Sequence, residues 1–242
     1  MCTVSWSFKE QGYRLYFNRD EQRSRIRAEL PRLIGWQGSK IIAPIDPKGG
    51  GSWIALNSDG VVAFILNHYA ATPADDDSRI YKSRGEIPLT VASMSDFDSS
   101  VESIGAFGNE YYRPFLAGVV SPSGDSCVIS WDGLELKPVE LDDSFVTTSS
   151  YRPGEVESYR RARYEELKAS GGDRWAWSKG LNYHQDLGNS DPAYNPLMSR
   201  KDAETHCISV ISVTSEKTEF EYLERLAGTN DFSRKGNWSF GE

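Results

Sequence analysis

Cysteine is scarce in this chain: among 242 residues only Cys2, Cys127 and Cys207 are cysteine, an odd number set far apart. That spacing excludes a disulfide framework and a paired-cysteine zinc motif, and it fits a reducing compartment. Long apolar runs are missing as well. Nothing approaches the roughly 18 to 20 apolar residues that a membrane-spanning helix needs, and the first residues lack the basic and apolar regions of a secretory signal. Position 2 holds a cysteine where N-myristoylation needs glycine. These absences predict a soluble, cytoplasmic protein with no transmembrane segment. Positive charge is also in deficit, with 27 Lys and Arg against 35 Asp and Glu for a net charge of −8. Nucleic acid is therefore not the expected partner, because phosphate binding needs a clustered cationic surface.

What is present begins with strands. Cys2 to Phe8 is rich in β-branched and aromatic residues, residues 9–12 form a polar turn ending in Gly12, and Tyr13 to Phe17 is strand-like again. Facing residues of such a hairpin have numbers summing to about 21 or 22. Cys2 then lies opposite Arg19 or Asp20, which brings a thiol, a guanidinium and the carboxyls of Asp20 and Glu21 to one end of the hairpin. Just beyond, Arg23, Arg25 and Arg27 alternate. On an extended segment they share one side, where they either draw an anionic ligand toward the hairpin end or guard a solvated edge against aggregation.

Prolines and the glycine run Gly49, Gly50, Gly51 mark the stretch from Pro31 onward as loop. The segments SWIALN and VVAFILNH, joined by SDG, form a second hairpin. Its closing Asn67 and His68 fall opposite the glycine run, where glycine permits a close backbone approach. Two short helices are expected between Glu86 and Ile104, the second capped by Ser95 or Asp96, followed by a three-stranded meander from Phe115. A longer helix should run from about Gly154 to Ala169, with Val156, Tyr159, Tyr164 and Leu167 on its buried side and its arginines and glutamates in solvent. Residues 171–203 are polar, aromatic and irregular, and are expected to form a lid-like insertion. Within it, Trp175, Trp177, Tyr183 and Tyr194 supply a hydrophobic mouth. A last hairpin, HCISVISV to TEFEYL, closes the chain. Hairpins interleaved with helices, without β-α-β alternation, predict a single α+β domain over residues 1–242 with mainly antiparallel sheet.

The opening MCT, the motif Asn18-Arg19-Asp20-Glu21, the segment GGGSWIALNSDGVVAFILN and the SRGEIP segment from Ser83 to Pro88 together resemble the NRDE family, also called the transport and Golgi organisation 2 family. The likeness runs in order through the first ninety or so residues. It continues more weakly through TTSSYRPGEVESYRRAR and SRKDAETHCISVISV. That family is similar to the cysteine branch of the N-terminal nucleophile (Ntn) hydrolases, which implies a four-layer αββα sandwich of two mainly antiparallel sheets. The resemblance also implies roles. Cys2 becomes the nucleophile after Met1 is removed, Arg19 and Asp20 follow it one hairpin later, and Asn67 helps form an oxyanion hole. Asn18, Arg23, Ser149, Ser150 and Arg200 would contact substrate, the serine pair standing where the hydrolases carry an asparagine and Arg200 standing for their final arginine.

Two activities follow from this resemblance. One is hydrolysis of a non-peptide acyl amide, with Arg19 favouring the Cys2 thiolate, the α-amine of Cys2 as base and Asp20 orienting that amine. No cofactor or metal is required. The alternative, implied by the family's association with haem trafficking and lipid homeostasis, is a carrier that uses the same pocket for haem or another amphiphile. Neither C-x-x-C-H nor a Cys-Pro pair is present, so an axial ligand would come from His68, His184, His206 or Cys2.

Overall fold

The computed structural model describes residues 1–240 apart from 11, 72–79, 110 and 172–174, and the side chains of 175, 176 and 178 are also outside the described set. Its contacts gather into two units, one of Met1–Arg25 with Leu141–Asn237, the other of Ile26–Glu140 with the residues from Trp238 on.

The first unit carries a six-stranded antiparallel sheet made of β1 (Cys2–Phe8), β2 (Tyr13–Gln22), β10 (Phe145–Thr148), β11 (Ala203–Val213), β12 (Thr218–Arg225) and β13 (Phe232–Ser239). Its spatial order is β10-β1-β2-β11-β12-β13, so the N-terminal strand is an interior strand. Helices α3 (Pro153–Gly171) and α4 (Trp175–His184) pack on this sheet, α4 across β1 and β2 and α3 on β10. Apolar side chains join the two layers: Tyr16, Ile208, Val210 and Leu223 with Leu181, and Phe145, Tyr164 and Tyr183 with Leu167. Gly180 of α4 lets the helix settle, since a Cβ there would sit 2.5 Å from the Tyr16 ring.

The second unit holds a seven-stranded antiparallel sheet in sequential order: β3 (Glu29–Trp36), β4 (Ser39–Ile45), β5 (Ile54–Asn57), β6 (Val62–Asn67), β7 (Phe115–Val120), β8 (Ser126–Trp131) and β9 (Leu136–Pro138). Helix α1 (Glu86–Val91) packs on β5, β6 and β7, and α2 (Phe97–Ser103) on β7. The expected cap of α2 is Asp96, whose side chain accepts from the Ser99 backbone N–H at 2.8 Å. The glycine run has a physical reason inside this unit. A Cβ on Gly51 would lie 2.4 Å from the Gly85 backbone, and Ser52 N donates to Gly85 O at 2.8 Å. GGGSW and SRGE are therefore two halves of one backbone-to-backbone contact.

Several expectations need correction. The stretch from Pro31 to Pro47, expected as loop, contains the β3–β4 hairpin. Its two-residue turn, Gln37 and Gly38 at φ 48° and 87°, is of the kind that matches strand twist. Pro31 is accommodated on the edge strand of the sheet, at an irregularity between Glu29 and Arg32, where no ladder donor is needed. The segment 171–203, expected as irregular, contains the helix α4, and beyond it Ala193, Asn195, Leu197 and Met198 are buried in the first unit. Strands β10 and β13 were not expected.

Candidate active site at the end of the first hairpin

The β1–β2 register pairs Cys2 with Arg19, Thr3 with Asn18 and Phe8 with Tyr13, each pair summing to 21. Because faces alternate along a strand, Cys2 and Arg19 share one face, while Thr3, Asn18 and Asp20 turn to the face covered by α3 and α4. Arg19 reaches Glu21 at 3.3 Å on its own side. Cys2 is half-buried. Burial pushes its thiol up, and the nearby chain-terminal ammonium and Arg19 pull the other way, Arg19 contributing least. The expected pull of Arg19 is present, but desolvation outweighs it.

Asp20 is held from three directions. Its Oδ1 accepts from Thr205 Oγ1 at 2.6 Å. Its Oδ2 lies 3.5 Å from both terminal nitrogens of Arg160. Its backbone N–H donates to the Met1 carbonyl at 3.1 Å. Burial pushes the Asp20 carboxyl up, opposed by Arg160, the terminal ammonium and Thr205. Arg160 is itself enclosed, donating to Thr3 Oγ1 at 3.0 Å and to the Tyr194 carbonyl at 3.2 Å. Thr205 reaches Asp20 because β11 bulges at His206: Thr205 pairs with Asp20, yet Cys207 pairs with Arg19. The extra residue switches faces, so one strand serves the carboxylate side with a hydroxyl and the opposite side with a thiol.

Sequence reasoning missed Arg160 and Thr205. The solvated helix arginines were an error at this position, and the signal was there: Val156, Arg160 and Tyr164 stand at successive i, i+4 positions of one buried stripe. Arg200, expected as the final arginine, is not the one that meets Asp20. It pairs with Asp202 at 2.8 Å and lies over the Tyr151 ring.

Asn18, expected to contact substrate, has turned inward. Its amide donates to the carbonyls of His184 at 2.8 Å and Pro196 at 2.9 Å, which leaves its Oδ1 to accept from His184 Nδ1 at 2.8 Å. That fixes the proton on Nδ1, so Nε2 accepts from Ser5 Oγ at 2.8 Å. The imidazole is neutral, and burial with Arg160 nearby pushes its pKa down to about 3. With both ring nitrogens engaged, His184 is removed as a haem ligand. His206 is buried, and His68 is half-buried at the end of β6.

Arg23 donates to Glu204, to Ser199 Oγ at 2.8 Å and to the Arg200 carbonyl at 2.8 Å. Past Gln22 the chain turns instead of extending, so the arginine alternation does not form a cationic face. Ser149 is buried and locked in a turn, donating to the Tyr151 carbonyl at 2.6 Å, whereas Ser150 is exposed. Asn67 belongs to the second unit, paired with Phe115, its amide donating to the Tyr69 hydroxyl at 2.7 Å. The aromatic mouth is not assembled as expected. Tyr183 is a core residue, Trp177 lies under Lys9 and Arg14, Tyr194 bonds Glu155, and the side chain of Trp175 lies outside the described residues.

Three solved structures share this chain's fold. An N-acylethanolamine-hydrolyzing acid amidase ortholog from Caenorhabditis elegans is 12% identical, with 100% of each chain covered and a TM-score of 0.61. Penicillin V acylase from Agrobacterium tumefaciens is 11% identical over 94% of this chain and 84% of its own, at 0.54. An arginine-to-leucine variant of conjugated bile acid hydrolase from Clostridium perfringens is 11% identical, covering 100% and 97%, at 0.52. At such identities the likeness shows the fold: this is an α+β protein of the Ntn-hydrolase fold class. The chain belongs to the Transport and Golgi organisation 2 family, whose pattern residues 1–164 match. No curated protein matches it at a significant level. Among the described residues no helix is long and apolar enough to cross a membrane.

Proposed function

We propose that the chain is an N-terminal-nucleophile amidohydrolase that cleaves an acyl amide with Cys2 once Met1 has been removed. The observation that carries this reading is the strand end itself: Cys2 is paired with Arg19, and the Asp20 carboxylate next to it is clamped by Arg160 and Thr205. The name of one similar solved structure, an acid amidase, supports the bond type proposed.

With Cys2 as first residue, its α-amine, ordinarily titrating near 7.7 to 8.0, takes the thiol proton. A local base is needed because burial disfavours a standing thiolate. The sulfur attacks the amide carbon. The ammonium returns its proton to the nitrogen as the C–N bond breaks, which releases the amine and leaves a thioester. Water, activated by the same amine, then breaks the C–S bond and releases the acid. Asp20 orients the amine, and Arg160 and Thr205 hold the Asp20 carboxyl in place.

Incubation with N-acyl amides of graded chain length tests the reading. Wild type should release amine and Cys2→Ala should not. Equal release by both removes Cys2 from the chemistry. The carrier alternative makes a different prediction: no turnover by either form, and saturable haem binding, followed by the Soret band, that Cys2→Ala leaves intact.

A further inference from the structure

We infer that the niche filled by the Met1 side chain is a binding subsite for a short, unbranched arm ending in a carboxylate, opened when the chain starts at Cys2. The inference deepens the amidohydrolase reading and rests on it for the departure of Met1.

Met1 is buried, packed against Met198, Ala203 and Tyr151. Its sulfur lies 3.8 Å from Arg200 Nη1 and 3.1 Å from Ser149 Oγ. Methionine is unbranched and flexible, so the space it leaves suits a linear arm of similar length. Its thioether is a weak acceptor, a poor match for a guanidinium. Arg200 has spare capacity. One terminal nitrogen serves Asp202, and, among the described residues, its Nε is buried with no acceptor. A carboxylate in place of the sulfur would give Nη1 a charge-assisted hydrogen bond where it now faces a thioether. Ser149 shapes the niche without donating into it, because its proton is committed to the Tyr151 carbonyl.

Tyr151 and Arg200 also line a pocket of about 630 Å³, together with Ala193, Ser199, Lys201 and the carboxyls of Asp191 and Asp202. Because Met1 is bonded to Cys2, the niche starts at the α-amine that Cys2 carries once Met1 is gone. The arm therefore runs from that amine, the base of the proposed reaction, to its far carboxylate on Arg200.

Glutarate and pentanoate, equal in length but differing in one terminal carboxylate, separate these requirements by isothermal titration calorimetry. The full chain is prepared starting at Cys2, from a fusion whose protease leaves that residue first. It is compared with the Met1-retaining form expressed under inhibition of methionine aminopeptidase, both verified by intact mass. Glutarate should bind the Cys2-first form about tenfold or more tightly than the Met1-retaining form, and more tightly than pentanoate. Arg200→Gln should cost about tenfold in glutarate affinity at unchanged melting temperature. Arg200→Lys, which keeps the charge but not the fork, should recover part of it. Equal glutarate affinity in the two forms, or indifference to Arg200→Gln in a folded variant, overturns the subsite. Glutarate binding as described without any amide turnover upholds the subsite and sinks the hydrolase reading. Turnover with glutarate binding blind to Met1 overturns the subsite alone.

Discussion

Arg160 of α3 and Asp20 of β2 form an ion pair 3.5 Å apart in which neither side chain has any exposed surface. Helix and sheet are thereby joined by charge at the residue next to Arg19, and Thr3 and Thr205 take up remaining hydrogen-bonding capacity. A buried pair of this kind gives little net stability over an apolar substitute, but breaking it strands the other partner.

Arg160→Met should therefore lower unfolding stability by about 3 to 5 kcal/mol, and combining it with Asp20→Asn should cost less than the sum of the two single changes. Urea unfolding of the four proteins measures this. Strict additivity would mean that the two side chains do not depend on each other.

His184 gives the fold a pH dependence. Its folded pKa is pushed down to about 3, below the ordinary 6.5 or so, so across that interval the unfolded chain binds the extra proton. Stability from this residue is complete above about pH 6.5 and declines as pH falls toward 3, with about 2 kcal/mol gone by pH 5. The difference between unfolding curves at pH 7 and pH 5 should shrink in His184→Gln. Unchanged differences would show that His184 is protonated normally in the folded chain.

Iodoacetamide labelling reads the electrostatics of Cys2. In the Met1-retaining form its labelling midpoint should lie above the ordinary cysteine value of about 8.5, because burial is the dominant influence. Arg19→Gln should raise it further, by a small step, because Arg19 is the least of the influences on the thiol. A midpoint that falls in Arg19→Gln would contradict the placement of Arg19 beside the thiol.

Gly51→Ala should destabilise by about 1 to 3 kcal/mol, since the added carbon would meet the Gly85 backbone at 2.4 Å, whereas at Gly35 a Cβ meets nothing within 4 Å. Thermal melts of Gly51→Ala and Gly35→Ala provide the contrast, and similar melts would remove the steric explanation for the glycine run.

Much of this architecture is legible in the sequence because it is local. The β1–β2 register follows from turn length and alternation, and both short helices and the meander from Phe115 follow from period and capping. What escaped depends on long-range geometry. Arg160 and Asp20 are separated by 140 residues, and no local pattern says which of several helix arginines turns inward except the i, i+4 stripe. The bulge at His206 leaves no mark in the alternation of HCISVISV, yet it decides which face Thr205 serves. Asn18 illustrates the converse: a motif residue beside the site whose amide is spent on two carbonyls, so its presence in the motif reflects the anchoring of α4 as much as chemistry.

The interior position of β1 also sets a schedule for synthesis. Its neighbour β2 follows within a few residues, but its other neighbour, β10, begins at Phe145, and Met1 is covered by residues near 150 and 200. The cover over Met1 is therefore complete only once residues near 200 have been made. The removal of Met1 proposed above would have to precede that closure, because the finished fold buries Met1. Translation rate and aminopeptidase supply, acting against each other, would set the fraction of molecules that mature with Cys2 first.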